Sequence, residues 1–315
     1  MKTVILDRAT LGYDLDIQLP FDTQLVLYDR ISSEQLEQAI ADADVIFVNK
    51  VRLDGSVLSK AHKLRLICEA ATGYDNIDVN YCREHGIAVC NVPGYSTYSV
   101  SQLTVAMVMQ LVNHMPEYTE YVSSGKYTES GAANRLEPVF HELHGMTWGI
   151  VGYGNIGSNV AVVARAFGCD VIAFKKTPCY NVECVDIDTL MKRSDIISVH
   201  LPLTEDTRGI INRERIALMK PNAVFINVAR GAVVDEQALC EAVKNGKIGA
   251  IGVDVYSAEP FSEKSPYYEI KSMENVCLTP HVAWGAYEAR RRCYDEMIKN
   301  MRSFLEGGIR NRVDL

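Results

Sequence analysis

Arg230, Glu259 and His281 are the residues of this 315-residue chain whose types suit acid–base chemistry on a bound anion and whose positions repeat a pattern. Each follows a short apolar run: Arg230 comes after Ile226-Asn227-Val228-Ala229, Glu259 after Val253-Asp254-Val255-Tyr256-Ser257-Ala258, and His281 after Leu278-Thr279-Pro280. If these runs are successive parallel strands, their carboxyl ends meet at one sheet edge, where open α/β sheets bind ligands. A guanidinium offers a planar fork to a carboxylate and a neighbouring carbonyl oxygen. An imidazolium can give that oxygen a proton as hydride reaches the carbon, and take it back in the oxidative direction. A carboxylate bonded to the imidazole fixes its orientation and favours the cation near neutral pH. Singly, each residue has an ordinary structural use. Together they suit hydride transfer to a 2-oxo acid.

Hydride chemistry needs a donor at the same edge, and the stretch from Thr147 to Lys176 can hold one. Trp148–Val151 is an apolar run of strand length and leads into Gly152-Tyr-Gly154-Asn155-Ile156-Gly157. Beyond it Ile156, Val160, Val163, Ala164 and Phe167 share one helical face, Gly168 stands at the helix end, and Val171–Phe174 is a second strand. Strand, glycine turn, helix and strand within about 30 residues form the dinucleotide-binding context. Gly152 permits the turn, Gly154 the approach of a pyrophosphate, and Gly157 close helix–strand packing, while the helix N-terminus offers N–H groups to the anion. An acidic residue for the ribose 2′-hydroxyl of NAD is expected about 20 residues on, at the end of the second strand. Lys175 and Lys176 occupy that place, and Asp170 precedes the strand. Two ammonium groups suit a 2′-phosphate, so the expected cofactor is NAD or NADP with a lean toward NADP.

Composition narrows the classes further. With 48% apolar residues the chain can bury two cores, so two domains are expected. A net charge of −8 and the absence of long Lys/Arg runs speak against nucleic acid as partner. No apolar stretch approaches the roughly 18 residues of a membrane span, and the N-terminal apolar run Val4–Leu6 is too short for a signal peptide. Nine scattered cysteines without a Cys-x-x-Cys read as reduced thiols of a cytoplasmic protein. His141-x-x-His144 misses the zinc-helix spacing by one residue, so no metal is expected.

The remaining elements alternate. Val4–Leu6, Leu25–Tyr28, Val45–Val48, Leu66–Cys68 and Ile87–Cys90 are strand-length runs separated by helical stretches, which indicates a parallel sheet. Ala70-Ala71-Thr72-Gly73-Tyr74-Asp75 follows a strand end. Tyr98 to Val112 carries a broad helical stripe of Val100, Leu103, Met107, Val108 and Leu111, whereas 118–143 reads as a connection. In the second half Ile196–Val199, Val224–Ile226, Ala250–Val255 and Val276–Leu278 bring the strand count of that domain to six, with Asp188, Asn212 and Asp235 as helix N-caps. Ala286–Leu305 is helical, and its Arg290-Arg291-Arg292 cluster reads as a solvated face or a salt bridge to the first domain. The fold class is α/β, with two doubly wound parallel-sheet domains, the second a Rossmann dinucleotide-binding domain.

Several of these stretches also carry a resemblance. The glycine turn, Val199-His-Leu-Pro-Leu-Thr204, Asn227-Val-Ala-Arg-Gly231, Gly252-Val-Asp-Val-Tyr-Ser-Ala-Glu-Pro260, Thr279-Pro-His-Val-Ala-Trp284, Thr72-Gly-Tyr-Asp-Asn-Ile-Asp78 and Asn91-Val-Pro-Gly-Tyr95 resemble the D-isomer-specific 2-hydroxyacid dehydrogenase family. The resemblance implies a homodimeric enzyme with a substrate-binding (catalytic) domain of residues 1–97 plus 286–315 and a dinucleotide-binding domain of 98–285. It implies catalytic roles for Arg230, Glu259 and His281, a backbone carboxylate site at Ala71, Thr72 and Gly73, and a cofactor cleft lined by His200, Pro202, Thr207, Val228 and Asp254. Lys175-Lys176 departs from the acidic residue of NAD-preferring relatives. Trp284 and Asn91–Tyr95 are most similar to glycerate dehydrogenase and hydroxypyruvate reductase members, and the end at Leu315 differs from the long phosphoglycerate dehydrogenases. Small 2-oxo acids such as hydroxypyruvate or glyoxylate are therefore the expected substrates. The alternatives are a dinucleotide-sensing binding protein like the corepressors of this fold, or a member acting on formate or phosphite.

Overall fold

Short apolar runs separated by helical segments pair in parallel, because a parallel connection needs a crossover long enough to hold a helix. The computed structural model describes residues 1–177 and 181–315 and divides into two units, Met1–Ser96 with Gly285–Leu315, and Thr97–Trp284.

In the first unit β1 (Lys2–Ile5), β2 (Gln24–Leu27), β3 (Val45–Val48), β4 (Leu66–Glu69) and β5 (Ala88–Cys90) form a parallel sheet of order β2-β1-β3-β4-β5. Both β3 and β4 are buried along their whole length, which is why β3 and the Leu66–Cys68 part of β4 read as unbroken apolar runs. Helices α1 (Ser33–Ile40), α2 (Gly55–Leu58) and α3 (Val79–Glu84) make the crossovers, and Asp54 and Asp78 cap the last two through their carboxylates. The strand order reverses between β1 and β3. There Asp7 accepts the N–H groups of Asn49, Lys50 and Val51 and fixes the loop that leaves β3.

The second unit opens with α4 (Thr97–Val112), α5 (Met115–Ser123) and α6 (Lys126–Ser130). Its sheet contains β6 (Thr147–Val151), β7 (Asp170–Phe174), β8 (Glu183–Cys184), β9 (Ile196–Val199), β10 (Val224–Asn227), β11 (Ala250–Val253) and β12 (Val276–Leu278), in the order β12-β11-β10-β9-β6-β7-β8. Between them run α7 (Asn155–Ala166), α8 (Ile187–Arg193), α9 (Arg213–Ala217), α10 (Glu236–Lys244) and α11 (Pro266–Ile270). Ile150, Ile196 and Ile226 face a cluster with Val108 of α4 and Val160 of α7, while their neighbours Val151, Ile197 and Phe225 face a cluster with Leu239 of α10. This alternation is the period-2 geometry of strands covered on both sides.

Four readings need correction. The sheet of this unit has seven strands rather than six, because β8 is only two exposed residues long and leaves no apolar run to detect. Asp186, not Asp188, caps α8: its carboxylate accepts the Thr189 N–H at 2.9 Å, and Asp188 lies in the first turn. The 118–143 connection holds two short helices, α5 and α6, separated at Ser124-Gly125, yet neither buries a side chain, so no apolar stripe marks them. Finally, seven cysteines are free and buried, but Cys184, exposed on an edge strand where oxidants reach it, is disulfide-bonded; Cys179 lies outside the described residues.

The chain returns to the first unit in α12 (Tyr287–Leu305), which buries Ala289, Cys293, Tyr294, Met297, Asn300 and Met301. Its arginine cluster divides the work. Arg290 holds both oxygens of Asp14 at 2.6 and 2.8 Å and pulls that carboxyl down to about 2, Arg292 reaches the Tyr95 carbonyl, and Arg291 pairs with Asp295 on the exposed face.

Candidate active site

Parallel register places the ends of β10, β11 and β12 side by side, since Asn227 pairs with Val253 and Val253 with Leu278. Arg230, Glu259 and His281 leave the sheet just beyond these residues. The Asn227 side chain shapes the first turn: its Oδ1 accepts the Ala229 N–H and its Nδ2 donates to the Arg230 carbonyl, both at 3.1 Å. Gly231 then runs so close to the next loop that a Cβ would lie 2.1 Å from the Tyr256 carbonyl carbon and 2.2 Å from the Ser257 nitrogen. Only glycine fits such an approach. The turn carrying Arg230 therefore rests directly on the loop carrying Glu259.

Glu259 bridges that loop to the imidazole. Its Oε1 accepts the Tyr256 N–H at 3.0 Å and its Oε2 stands 2.6 Å from His281 Nδ1. A carboxylate can only accept, so Nδ1 carries the proton of that bond and Nε2 is the nitrogen left for chemistry. His281 itself has left-handed backbone, with φ of 55°, and is held there by its neighbours. Asp254, fully buried at the end of β11, accepts from Thr279 Oγ1, Val282 N and Ala283 N, and Trp284 Nε1 donates to the His281 carbonyl. Burial raises the Asp254 carboxyl, and its hydrogen bonds oppose that. Asp254 thus fastens the 279–283 loop to the end of β11.

The glycine turn lies where β6 adjoins β9, the point at which the strand order of this sheet reverses. Gly152 has φ of 101°, and a Cβ there would sit 2.8 Å from the His200 carbonyl carbon. Gly157 is buried against the Gly152 carbonyl, whereas Gly154 and Asn155 are exposed and Ile156 half-buried at the start of α7. Helix N–H groups face the turn without a side-chain cap, a cradle for an anion.

His200 adds an independent indication. Trp148 Nε1 donates to Ser198 Oγ at 3.0 Å, and Ser198 Oγ lies 2.9 Å from His200 Nε2. Indole can only donate, so the serine hydroxyl accepts from Trp148 while it also engages the Nε2 edge of the imidazole, leaving Nδ1 as the ring nitrogen turned elsewhere. That buried Nδ1 has no partner among the described residues, and burial pushes the ring down to about 3, keeping it neutral. An orphaned buried ring nitrogen beside a glycine cradle fits a polar ligand group. Thr207 is buried and organises its own turn, accepting the Thr204 N–H and donating to the Pro202 carbonyl; Pro202 is exposed and Val228 buried. Lys175 and Lys176 are exposed past the end of β7, with Lys176 2.6 Å from Asp206, while Asp170 begins that strand at its opposite end.

In the first unit Ala71-Thr72-Gly73 follows β4. The Ala71 carbonyl accepts from Val92 N–H, Thr72 Oγ1 donates to the Val92 carbonyl, and Asn91 Nδ2 donates to the Thr72 carbonyl. The loop is pinned by the strand end beside it. Asn227, Gly231, Ser198 and Asp7 were not singled out from sequence; a polar residue or glycine directly after an apolar run was the available sign.

Residues 105–283 match the family model described as D-isomer specific 2-hydroxyacid dehydrogenase, NAD binding domain. The whole chain is 36% identical over 324 aligned residues to a hydroxypyruvate reductase of Blautia hydrogenotrophica, covering all of both. Among solved structures, an acyclic imino acid reductase in complex with NADPH and D-Arg superposes with a TM-score of 0.86 at 31% identity, covering 99% of this chain and 100% of that one. A D-lactate dehydrogenase of Aquifex aeolicus complexed with NAD and lactic acid also gives a TM-score of 0.86, at 30% identity over 100% and 99% of the two chains. The residues around the glycine turn fit the nicotinamide cofactor that such enzymes use. The chain belongs to the D-isomer specific 2-hydroxyacid dehydrogenase family and is an oxidoreductase that reduces 2-oxo acids to D-2-hydroxy acids with a nicotinamide cofactor.

Proposed function

We propose that the chain reduces small 2-oxo acids of the hydroxypyruvate and glyoxylate kind, with NADPH preferred over NADH, and that Arg230, Glu259 and His281 carry the chemistry. The observation that carries this reading is the 2.6 Å contact between Glu259 Oε2 and His281 Nδ1, which engages one ring nitrogen and leaves the other, Nε2, for proton transfer. When bound, the reduced nicotinamide supplies hydride to the carbonyl carbon. His281 gives the Nε2 proton to the carbonyl oxygen, so the product is a hydroxyl and the imidazole is left neutral. Glu259 holds the ring and stabilises its charged form before transfer. Arg230 takes the substrate carboxylate and carbonyl oxygen in its fork, and the backbone of Ala71, Thr72 and Gly73 supplies N–H donors to the carboxylate.

Gly152, Gly154, Asn155, Ile156 and Gly157 would hold the pyrophosphate, with His200, Pro202, Thr207, Val228 and Asp254 around the rest of the dinucleotide. Lys175 and Lys176, exposed where a ribose-binding acid would stand, favour a 2′-phosphate. A homodimer accords with the apolar side chains that α5 and the stretch after α6 leave exposed, among them Met115, Val122, Leu136, Val139 and Phe140. A cytoplasmic location accords with the seven buried free cysteines and is opposed by the disulfide of Cys184; no described helix is long and apolar enough to cross a membrane.

The test is the loss of reduced-nicotinamide absorbance with hydroxypyruvate and with glyoxylate, NADPH and NADH run in parallel. Turnover with either acid, faster with NADPH, is expected. Silence with both acids beside turnover of a larger 2-oxo acid would overturn the substrate class, and faster turnover with NADH would overturn the cofactor preference.

A further inference from the structure

Glu236 begins α10, and its Oε1 accepts the Ser257 N–H at 2.7 Å. The preceding amide, that of Tyr256, is held by Glu259 Oε1 at 3.0 Å. Two carboxylates therefore grip two consecutive amides of one turn, and Gly231 presses on the same two residues. A movement of this turn would reach Arg230 through Gly231 and His281 through Glu259. Helix capping does not require Glu236, because Asp235 already caps α10 by accepting the Ala238 N–H at 2.9 Å. Burial, helped by the neighbouring Glu259 charge, raises the Glu236 carboxyl. Holding a half-buried acid beside a second acid is costly, and a purely structural turn would not need it.

Ser257 and Glu259 face Glu236 from the turn, Cys240 from α10, Tyr256 from the end of β11 and Tyr267 from α11. Burial holds the Cys240 thiol up at about 12 and raises both phenols, so these groups stay neutral. Asp254 lies close enough to His281 for the two charges to interact.

We propose that Glu236 is a positioning residue for the reaction: it clamps the Tyr256–Ser257 turn so that Glu259 meets His281, and its charge, added to that of Glu259, keeps the imidazole protonated to higher pH. This rests on the reading of Glu259 and His281 as the proton-donating pair. The experiment is the pH profile of kcat/KM for 2-oxo acid reduction in wild type, Glu236→Gln and Glu236→Ala, with His281→Ala alongside.

Glu236→Gln keeps an oxygen for the Ser257 N–H and removes the charge. Its alkaline limb should fall by about half a pH unit, the effect of removing one charge next to Glu259 in a partly screened site, with kcat near neutrality kept within about threefold. Glu236→Ala should show the same limb and lose about tenfold in kcat, with little change in KM, because the turn is no longer held. An unshifted limb in Glu236→Gln overturns the proposal whether or not the alanine variant folds. An alanine variant as fast as wild type overturns the clamp. If His281→Ala itself retains turnover, the underlying reading has failed, and that control reports it separately.

Discussion

Glu259 and His281 are joined by a 2.6 Å contact between Oε2 and Nδ1, while the other oxygen of the same carboxylate is fixed on the Tyr256 amide. The carboxylate is thereby a rigid strut from backbone to ring. Glu259→Gln can keep one of these bonds and loses the charge, so the imidazolium is less favoured. The expected result is a loss of about 10- to 100-fold in kcat/KM at neutral pH and an alkaline limb displaced to lower pH, read from a steady-state pH series.

His200 predicts an acid-stability effect. Its ring is pushed from 6.5 down to about 3 by burial, so the folded protein binds fewer protons here than the unfolded chain between those values. The stabilisation of the neutral ring is complete above pH 6.5 and is lost as pH falls toward 3. His200→Asn removes that titration. Its unfolding free energy should fall less steeply with acidification, by about 1.4 kcal/mol per pH unit between pH 6 and 4, in denaturant titrations compared with wild type. Parallel slopes would contradict the buried neutral ring.

Asp254 makes a different prediction, because both its oxygens hold the loop that carries His281. Asp254→Asn presents an NH2 group where backbone N–H groups need an acceptor. A loss of roughly 1–3 kcal/mol of stability is expected by thermal melting, together with a fall in kcat as the histidine loop loosens.

How much of this was legible beforehand varies with the physics. The glycine turn, the strands before Arg230, Glu259 and His281, and the broad stripe of α4 are local patterns, and local patterns survive in the sequence. What escaped reading was non-local or too short. β8 has two residues and no periodicity. Gly231 matters only because Tyr256 and Ser257 pass beside it. The role of Asn227 depends on a turn that brings its side chain back to Arg230. Asp186 and Asp188 are both good capping residues two positions apart, and only the backbone geometry chooses between them.

Lys175 and Lys176 give the cofactor prediction. Replacing both by alanine should raise KM for NADPH by about 5- to 50-fold, since each exposed cation near a phosphate contributes on the order of 1 kcal/mol, and should leave KM for NADH nearly unchanged. Lys176 already sits beside Asp206, so Lys175→Ala alone should account for a large share. An unchanged KM for NADPH would show that the lysines only face solvent.

The most direct measurement is turnover of hydroxypyruvate by His281→Ala, taken with dinucleotide binding by the same variant. Loss of about 10²- to 10⁴-fold in kcat with unchanged dinucleotide affinity is the predicted result, because the proton donor is gone and the glycine cradle is untouched. Turnover at the wild-type rate with intact binding would contradict the assignment of His281 as the proton donor.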